Sequence, residues 1–148
     1  MKVSFQYGLA GYTGKAQGLV YYFDRRAGRV YARRNTYPRL TQENERVGSI
    51  TKNLLALQPT AEYKENLSLY LMKYNSLAKN YAKPLRSWVN LFLKLMYAMA
   101  KADPGINLRT ISRTYIYDHD LPCISVKKAV EAGLLPEVYD YQRYDAEM

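Results

Sequence analysis

Residues 19–34 read LVYYFDRRAGRVYARR and predict a β-hairpin. The segment opens with five strand-forming residues, and residues 24–28 then supply a turn. Its returning half alternates polar and apolar side chains, as a strand with one buried face does. Upstream, residues 3–7 favour another short strand, and closely spaced glycines interrupt any helix. We therefore expect residues 1–40 to form a β region.

Residues 41–103 carry apolar residues at the spacing of three and four that is typical of amphipathic helices, and we expect three helices there. Thr41 and Thr60 are suited to cap the first two, and Pro84 is suited to begin the third. Because a short connection joins the second and third, they are predicted to form a helical hairpin. The predicted buried stripes are Val47, Ile50, Leu54 and Leu57, then Tyr63, Leu67, Leu71, Tyr74, Leu77 and Tyr81, then Leu85, Trp88, Phe92, Leu95, Met96 and Met99.

The last third of the chain is expected to be mixed. Residues 110–117 alternate β-branched and aromatic residues and predict a strand, whereas Ser125 is suited to cap a short helix that Gly133 ends. Residues 138–148 are expected to form an extended tail. The predicted class is α+β, with a small antiparallel β-sheet, built from the N-terminal hairpin and the strand near 110–117, packed on the helical hairpin. We expect a single domain, residues 1–148, with three regions: 1–40, 41–103 and 104–148.

The net charge of +9 is unevenly distributed along the chain. Residues 1–58 carry ten basic and three acidic side chains, whereas residues 104–148 carry five and seven. A basic N-terminal end suits an anionic partner, and it equally suits head-to-tail contact between copies of the chain. The chain also holds 16 tyrosines against three phenylalanines and one tryptophan. The charge distribution and the tyrosine content both favour a function that depends on surface contacts with a partner.

Motifs for catalysis and metal binding are weak. A nucleotide-binding P-loop needs Ser or Thr after Gly-Lys, but Ala16 follows Gly14 and Lys15. A single histidine excludes sites that need two, so we interpret His119 as part of a polar loop and Cys123 as a small buried side chain. We therefore expect no enzyme, no metal site, no cofactor and no small-molecule substrate.

The sharpest functional signal is five arginines within ten residues: Arg25, Arg26, Arg29, Arg33 and Arg34. Tyrosines surround this arginine hairpin, and alternate residues of a strand share a face, so Arg29, Tyr31 and Arg33 are expected to lie together. Guanidinium groups grip phosphate or carboxylate through paired donors, and tyrosine rings stack on bases or on guanidinium groups. The cluster therefore predicts nucleic-acid binding, contact with acidic residues of another subunit, or a solvated basic surface.

The tail is the second candidate surface. Its tyrosines are interspersed with charged residues, and we expect it to lie along a neighbouring copy, with Asp140 and Asp145 reaching arginines there. The candidate partner-binding or nucleic-acid-binding residues are Lys15, Arg25, Arg26, Arg29, Tyr31, Arg33, Arg34, Tyr139, Tyr141 and Tyr144.

The N-terminal motif resembles that of a known group of proteins. It reads Gly-Lys-x-x-Gly-x-Val-Tyr-Tyr over residues 14–22 and Arg-x-Gly-x-x-Tyr-x-Arg over residues 26–33, and Thr41 and Gln42 follow at the expected helix start. Over residues 8–50 the chain is similar to a loose group of small, uncharacterised, basic bacterial and phage proteins. The resemblance implies a phage-associated structural or assembly role and supplies no catalytic residue.

We therefore expect a non-enzymatic structural or assembly subunit of a phage-like particle. Its partners would be copies of itself or other particle proteins, met through the arginine hairpin and the tyrosine-rich tail. The alternative is a small basic nucleic-acid-binding protein that uses the same hairpin on phosphates. The N-terminus has no long apolar run behind its charge, so we expect no export and no membrane partner. The expected location is a virion or phage-like particle, or otherwise the cytoplasm.

Overall fold

The computed structural model describes residues 1–3 and 12–148, which fall into two compact units, Met1–Leu40 and Thr41–Met148. The division lies where the predicted β region meets the predicted helices. Each unit is described by itself, and the expectation of a single domain stays a prediction. The α+β class is confirmed, because the structure combines an antiparallel sheet with helices. Most of the strand expected over residues 3–7 lies outside the described residues.

The described part of the N-terminal unit holds four strands: β1 (Lys2–Val3), β2 (Gly14–Ala16), β3 (Leu19–Asp24) and β4 (Arg29–Arg34). They form one antiparallel sheet in the order β1-β4-β3-β2, and the predicted hairpin of β3 and β4 is confirmed. Gln17 and Gly18 join β2 to β3 with φ angles of 49° and 74°. Two consecutive positive φ angles define the type I′ turn, whose twist matches that of the strands beside it.

The turn between β3 and β4 is closed by its own side chain. Asp24 Oδ1 accepts hydrogen bonds from the main-chain N–H groups of Arg26, at 3.0 Å, and of Ala27, at 3.3 Å. Gly28 completes the turn with a φ of 58°, a conformation that glycine adopts without a steric penalty. These contacts place Asp24 opposite Arg29 and thereby set the pairing of the two strands.

The C-terminal unit is helical. Its helices are α1 (Gln42–Ala56), α2 (Ala61–Ser76), α3 (Trp88–Ala102), α4 (Arg113–Asp118) and α5 (Val126–Glu131). Each begins after a Ser or Thr whose hydroxyl accepts a hydrogen bond from the N–H group three residues later. The predicted caps Thr41, Thr60 and Ser125 are confirmed. Gly133, with a φ of 71°, ends α5 as predicted, and the N–H of Leu134 donates to the oxygen of Ala129 in the Schellman pattern.

The third helix begins later than predicted. The prediction of Pro84 as its first residue is wrong, because Ser87 provides the cap and the helix starts at Trp88. The Asn75 side chain holds the intervening loop by accepting from the N–H of Leu85 and donating to its oxygen, both at 2.9 Å. The predicted stripe of α2 also ends early, since Tyr81 lies in this connection and is 81% exposed.

The strand predicted over residues 110–117 is wrong. Ser112 caps α4, its hydroxyl accepting from the N–H of Tyr115 at 3.1 Å, and the segment continues as a helix to Asp118. Alternation over so few residues fits a short helix as well as a strand, and packing decides between them. Here Ile116 is fully buried in the helical core. The sheet of the described residues therefore belongs to the N-terminal unit alone.

The helical core is rich in aromatic residues. Tyr63 of α2 packs edge-on against Phe92 of α3, with ring centroids 6.3 Å apart. Buried tyrosines also satisfy main-chain oxygens outside the long helices: the Tyr63 hydroxyl donates to the oxygen of Cys123 at 2.8 Å, and the Tyr70 hydroxyl donates to that of Pro136 at 2.5 Å. The helical core thus includes polar groups, and these two tyrosine hydroxyls each have a main-chain partner.

Residues 138–148, predicted as an extended tail, fold back onto the helical unit. A single turn of 3₁₀ helix spans Tyr141–Arg143, and the N–H of Lys127 donates to the oxygen of Tyr144 at 2.9 Å. Tyr144 is only 6% exposed, and its ring meets that of Tyr70 edge-on at 6.2 Å. Met148 is fully buried. Much of the tail is therefore part of the core.

Two tail tyrosines provide a matched test of this packing. Tyr144→Ala should lower the free energy of unfolding by about 3 kcal/mol, because it removes a buried ring and leaves a cavity. Tyr139→Ala should change it by less than about 0.5 kcal/mol, because Tyr139 is 88% exposed. Urea unfolding followed by helical circular dichroism measures both values. Equal effects of the two changes would contradict the placement of the tail.

Candidate functional site

The register of the sheet sorts its side chains onto two faces. Directly paired residues of an antiparallel sheet point the same way, and successive residues point opposite ways. We call the face that holds β4 residues 29, 31 and 33 the basic face. Its residues are Lys2, Lys15, Val20, Tyr22, Asp24, Arg29, Tyr31 and Arg33. The opposite face is apolar at its centre, where Val30 is 4% and Ala32 is 2% exposed.

The basic face is arranged in three rows across the strands. Lys15, Val20 and Arg33 form the first row, and Asp24 and Arg29 form the third. The middle row contains Lys2, Tyr31 and Tyr22. The two tyrosine rings stack with their centroids 5.7 Å apart and their planes 22° apart. Aromatic surface therefore lies at the centre of this face, with cations on three sides.

The structure brings together only part of the predicted site. Lys15, Arg29, Tyr31 and Arg33 lie on the basic face, as the alternation along β4 predicts for the last three. Arg25 and Arg26 lie in the turn between β3 and β4, and Arg34 lies on the opposite face at the end of β4. Three predicted residues belong to the helical unit instead: Tyr139, Tyr141 and Tyr144. Of these, Tyr139 is exposed, Tyr141 is half-buried and Tyr144 is a core residue.

The list of candidate residues drawn from the sequence leaves out two contributors to the basic face, Lys2 and Tyr22. Lys2 lies on this face because β1 pairs with β4, which places Lys2 opposite Tyr31. No local sequence pattern predicts that pairing. Tyr22 is part of a run of strand-forming residues, and the register with β4 decides on which face of the sheet its side chain lies. A third aromatic residue, Tyr37, lies beside Lys15, whose Nζ is 3.3 Å from the Tyr37 hydroxyl.

The N-terminal unit has almost no negative charge of its own. Residues 1–40 contain eight Lys or Arg and a single acid, Asp24, whose Oδ1 accepts bonds from two N–H groups of the turn. Within the described part of this unit, five arginines form no ion pair: Arg25, Arg29, Arg33, Arg34 and Arg39. In the helical unit, by contrast, Arg46 pairs with Glu43 at 2.6 Å. Mutual repulsion of the unpaired cations favours an anionic partner.

The segment around His119 has the contacts of a structural loop. The His119 ring stacks on that of Tyr115, with centroids 3.9 Å apart, and its Nδ1 lies 3.0 Å from the Tyr115 oxygen. Asp120 pairs with Lys128 at 2.5 Å. Over residues 1–3 and 12–148, no three His, Cys, Asp or Glu side chains are placed to share a metal ion. Burial raises the pKa of the Cys123 thiol to about 12.

Comparisons with known proteins do not indicate a function for this chain. No protein-family model matches the chain, and neither a curated protein nor a solved structure matches it significantly. The resemblance to basic bacterial and phage proteins therefore stays a prediction. Among the described helices, none is both long and apolar enough to cross a membrane.

The buried thiol gives a direct chemical test. At pH 8 the Cys123 side chain should remain protonated and resist alkylation by iodoacetamide, because the thiolate is the reactive form and the pKa is raised to about 12. Unfolding in urea should expose it and restore the rate of a free cysteine. Mass spectrometry of the folded and unfolded chain measures both rates. Rapid alkylation of the folded protein would contradict the burial of Cys123.

Proposed function

We propose that this protein binds nucleic acid through the basic face of its N-terminal sheet. The observation that carries the proposal is the arrangement of Lys2, Lys15, Arg29 and Arg33 around a stacked tyrosine pair on one face. Cations and aromatic rings side by side match the two components of a nucleotide, phosphate and base. The single acid of this unit, Asp24, accepts hydrogen bonds within the turn.

Electrostatics supports binding to a polyanion. Each phosphate neutralised by Lys or Arg releases condensed counterions, so affinity rises with the number of cations on the surface. Arginine adds geometry, since its guanidinium donates two parallel hydrogen bonds to one phosphate. Arg25 and Arg26 extend the positive surface beyond the end of the strands, in the turn. No covalent chemistry is required of any residue.

The apolar face gives the basic face a firm support. Val30 and Ala32 alternate with Arg29, Tyr31 and Arg33 along the same strand and are almost fully buried. Their burial holds β4 in one orientation, because rotation of the strand would expose these two apolar side chains to water. The cations are thus carried by regular strands rather than by a loop, which favours a fixed spacing between them.

Salt dependence of binding tests the proposal. The double variant Arg29→Ala/Arg33→Ala should bind a labelled oligonucleotide more weakly, and the slope of log affinity against log salt should fall by about 1.4 to 1.8, as expected for two lost phosphate contacts. Fluorescence anisotropy at several salt concentrations measures affinity and slope together.

A matched control removes the same charge elsewhere. Lys52 and Lys83 are exposed lysines of the helical unit, so Lys52→Ala/Lys83→Ala lowers the net charge equally without touching the basic face. This control should keep the wild-type slope. The proposal is wrong if the control loses as much as the arginine variant, or if the wild-type chain binds no oligonucleotide at low salt.

A second candidate function is the structural or assembly role expected from the sequence. It is favoured by apolar side chains left open on the helical unit, where Met72 is 71% and Leu69 is 45% exposed. These residues lie three apart on α2 and are therefore neighbours on its surface. The next residue, Lys73, forms a cation–π contact with the exposed Tyr139: the Lys73 Nζ lies 5.4 Å from the centroid of the Tyr139 ring. Such a surface suits contact with a second copy of the chain.

Oligomeric state tests this second candidate. If copies associate through α2, Met72→Asp should convert an oligomer to a monomer, because it places a charge within an apolar contact. Thr114→Asp, at an exposed position of α4, adds the same charge elsewhere and should leave the oligomer intact. Light scattering coupled to size exclusion measures both. A wild-type chain that is monomeric at all concentrations would rule out this surface as a self-contact.

A further inference from the structure

We infer that the ligand of the basic face is a single strand whose bases stack on Tyr22, an inference that rests on the proposed nucleic-acid function. Tyr22 remains 46% exposed even though its ring stacks on Tyr31. A shallow cleft of about 310 Å³ adjoins it and is lined by Val20, Tyr22 and Arg33. An aliphatic group, an aromatic ring and a guanidinium group therefore meet at one point of the face.

The spacing of the rows suits an unpaired strand. Residues two apart on a strand are separated by about 7 Å, so Arg33 and Arg29 each lie about that far along β4 from Tyr31. Cations thus flank the tyrosine pair on both sides, with Lys15 beside Arg33 in the same row. A base that stacks on the rings leaves its phosphates within reach of these flanking groups. Aromatic stacking of this kind tolerates any base, because each one has a π face.

The width of the sheet disfavours a duplex. A two-stranded ribbon enters the major groove of B-DNA, which is about 12 Å wide. Four strands at about 4.8 Å spacing measure about 14 Å across before side chains are added. The sheet is therefore too wide to insert its basic face into the groove. The rings of Tyr22 and Tyr31 lie at the centre of that face, where bases stacked within a duplex do not reach them.

The test compares one strand with its own duplex. A short fluorescein-labelled oligothymidylate, and the same strand annealed to its complement, are titrated with the full chain at low salt. The single strand should bind more tightly. Tyr22→Ala should weaken single-strand binding about 5- to 150-fold, the loss expected for one stacked base, and should leave duplex binding within about twofold. An oligouridylate arm assigns the strand to DNA or RNA.

Two controls separate stacking from a loss of fold. Tyr22→Phe keeps the ring and should retain wild-type affinity, and Tyr139→Ala removes an exposed ring from the helical unit and should leave binding unchanged. In Tyr22→Trp, the new indole should be quenched by the single strand, whereas the signal of Trp88, the native tryptophan, is recorded in the wild-type chain as background.

The outcomes of the two proposals are distinguishable. Tighter single-strand binding that depends on the ring at position 22 supports the inference. If duplex and single strand bind equally and Tyr22→Ala changes neither, the inference is overturned while the nucleic-acid function stands. If neither probe binds at low salt, both are overturned.

Discussion

The register between β3 and β4 is the constraint on which the N-terminal unit depends. Because side chains alternate between faces, a slip of one residue would turn Arg29, Tyr31 and Arg33 inward and expose Val30. Burying an unpaired guanidinium costs several kcal/mol, so the slipped pairing is strongly disfavoured. The hydrogen bonds of Asp24 within the turn secure the same register at one end of the hairpin. The turn and the faces of the sheet therefore agree on a single pairing.

Tyrosine serves two purposes in this chain, which accounts for its abundance. Within the helical core, the hydroxyls of Tyr63 and Tyr70 donate to main-chain oxygens outside the long helices, a task that phenylalanine cannot perform. Burial raises the pKa of both hydroxyls, so they remain protonated donors. On the basic face, Tyr22 instead leaves much of its ring open to solvent. One residue type thus connects irregular segments to the core and supplies aromatic surface outside it.

Local signals predicted the features whose causes are local. The caps at Thr41, Thr60 and Ser125 follow from the side chain and the residues just after it, and the arginine hairpin follows from turn chemistry. Residues 110–117 and 138–148 were predicted less well, because packing of Ile116 and Tyr144 into the helical core decides their conformation. The shared face of Arg29, Tyr31 and Arg33 follows from alternation alone, whereas the addition of Lys2 and Lys15 required strand pairings that only the fold supplies.

The charge of the N-terminal unit exceeds anything its fold requires. The open face of a sheet is served by any polar residues, and opposite charges across paired strands would stabilise it further. Here Arg33 faces Val20, and residues 1–40 hold eight cations against one acid, whereas residues 41–148 hold 14 against 12. Repulsion among these cations destabilises the free unit, and the proposed binding of a polyanion would offset it. A polyanion with regularly spaced charges can offset that repulsion at Lys15, Arg29 and Arg33 together, which a single carboxylate on a protein partner cannot.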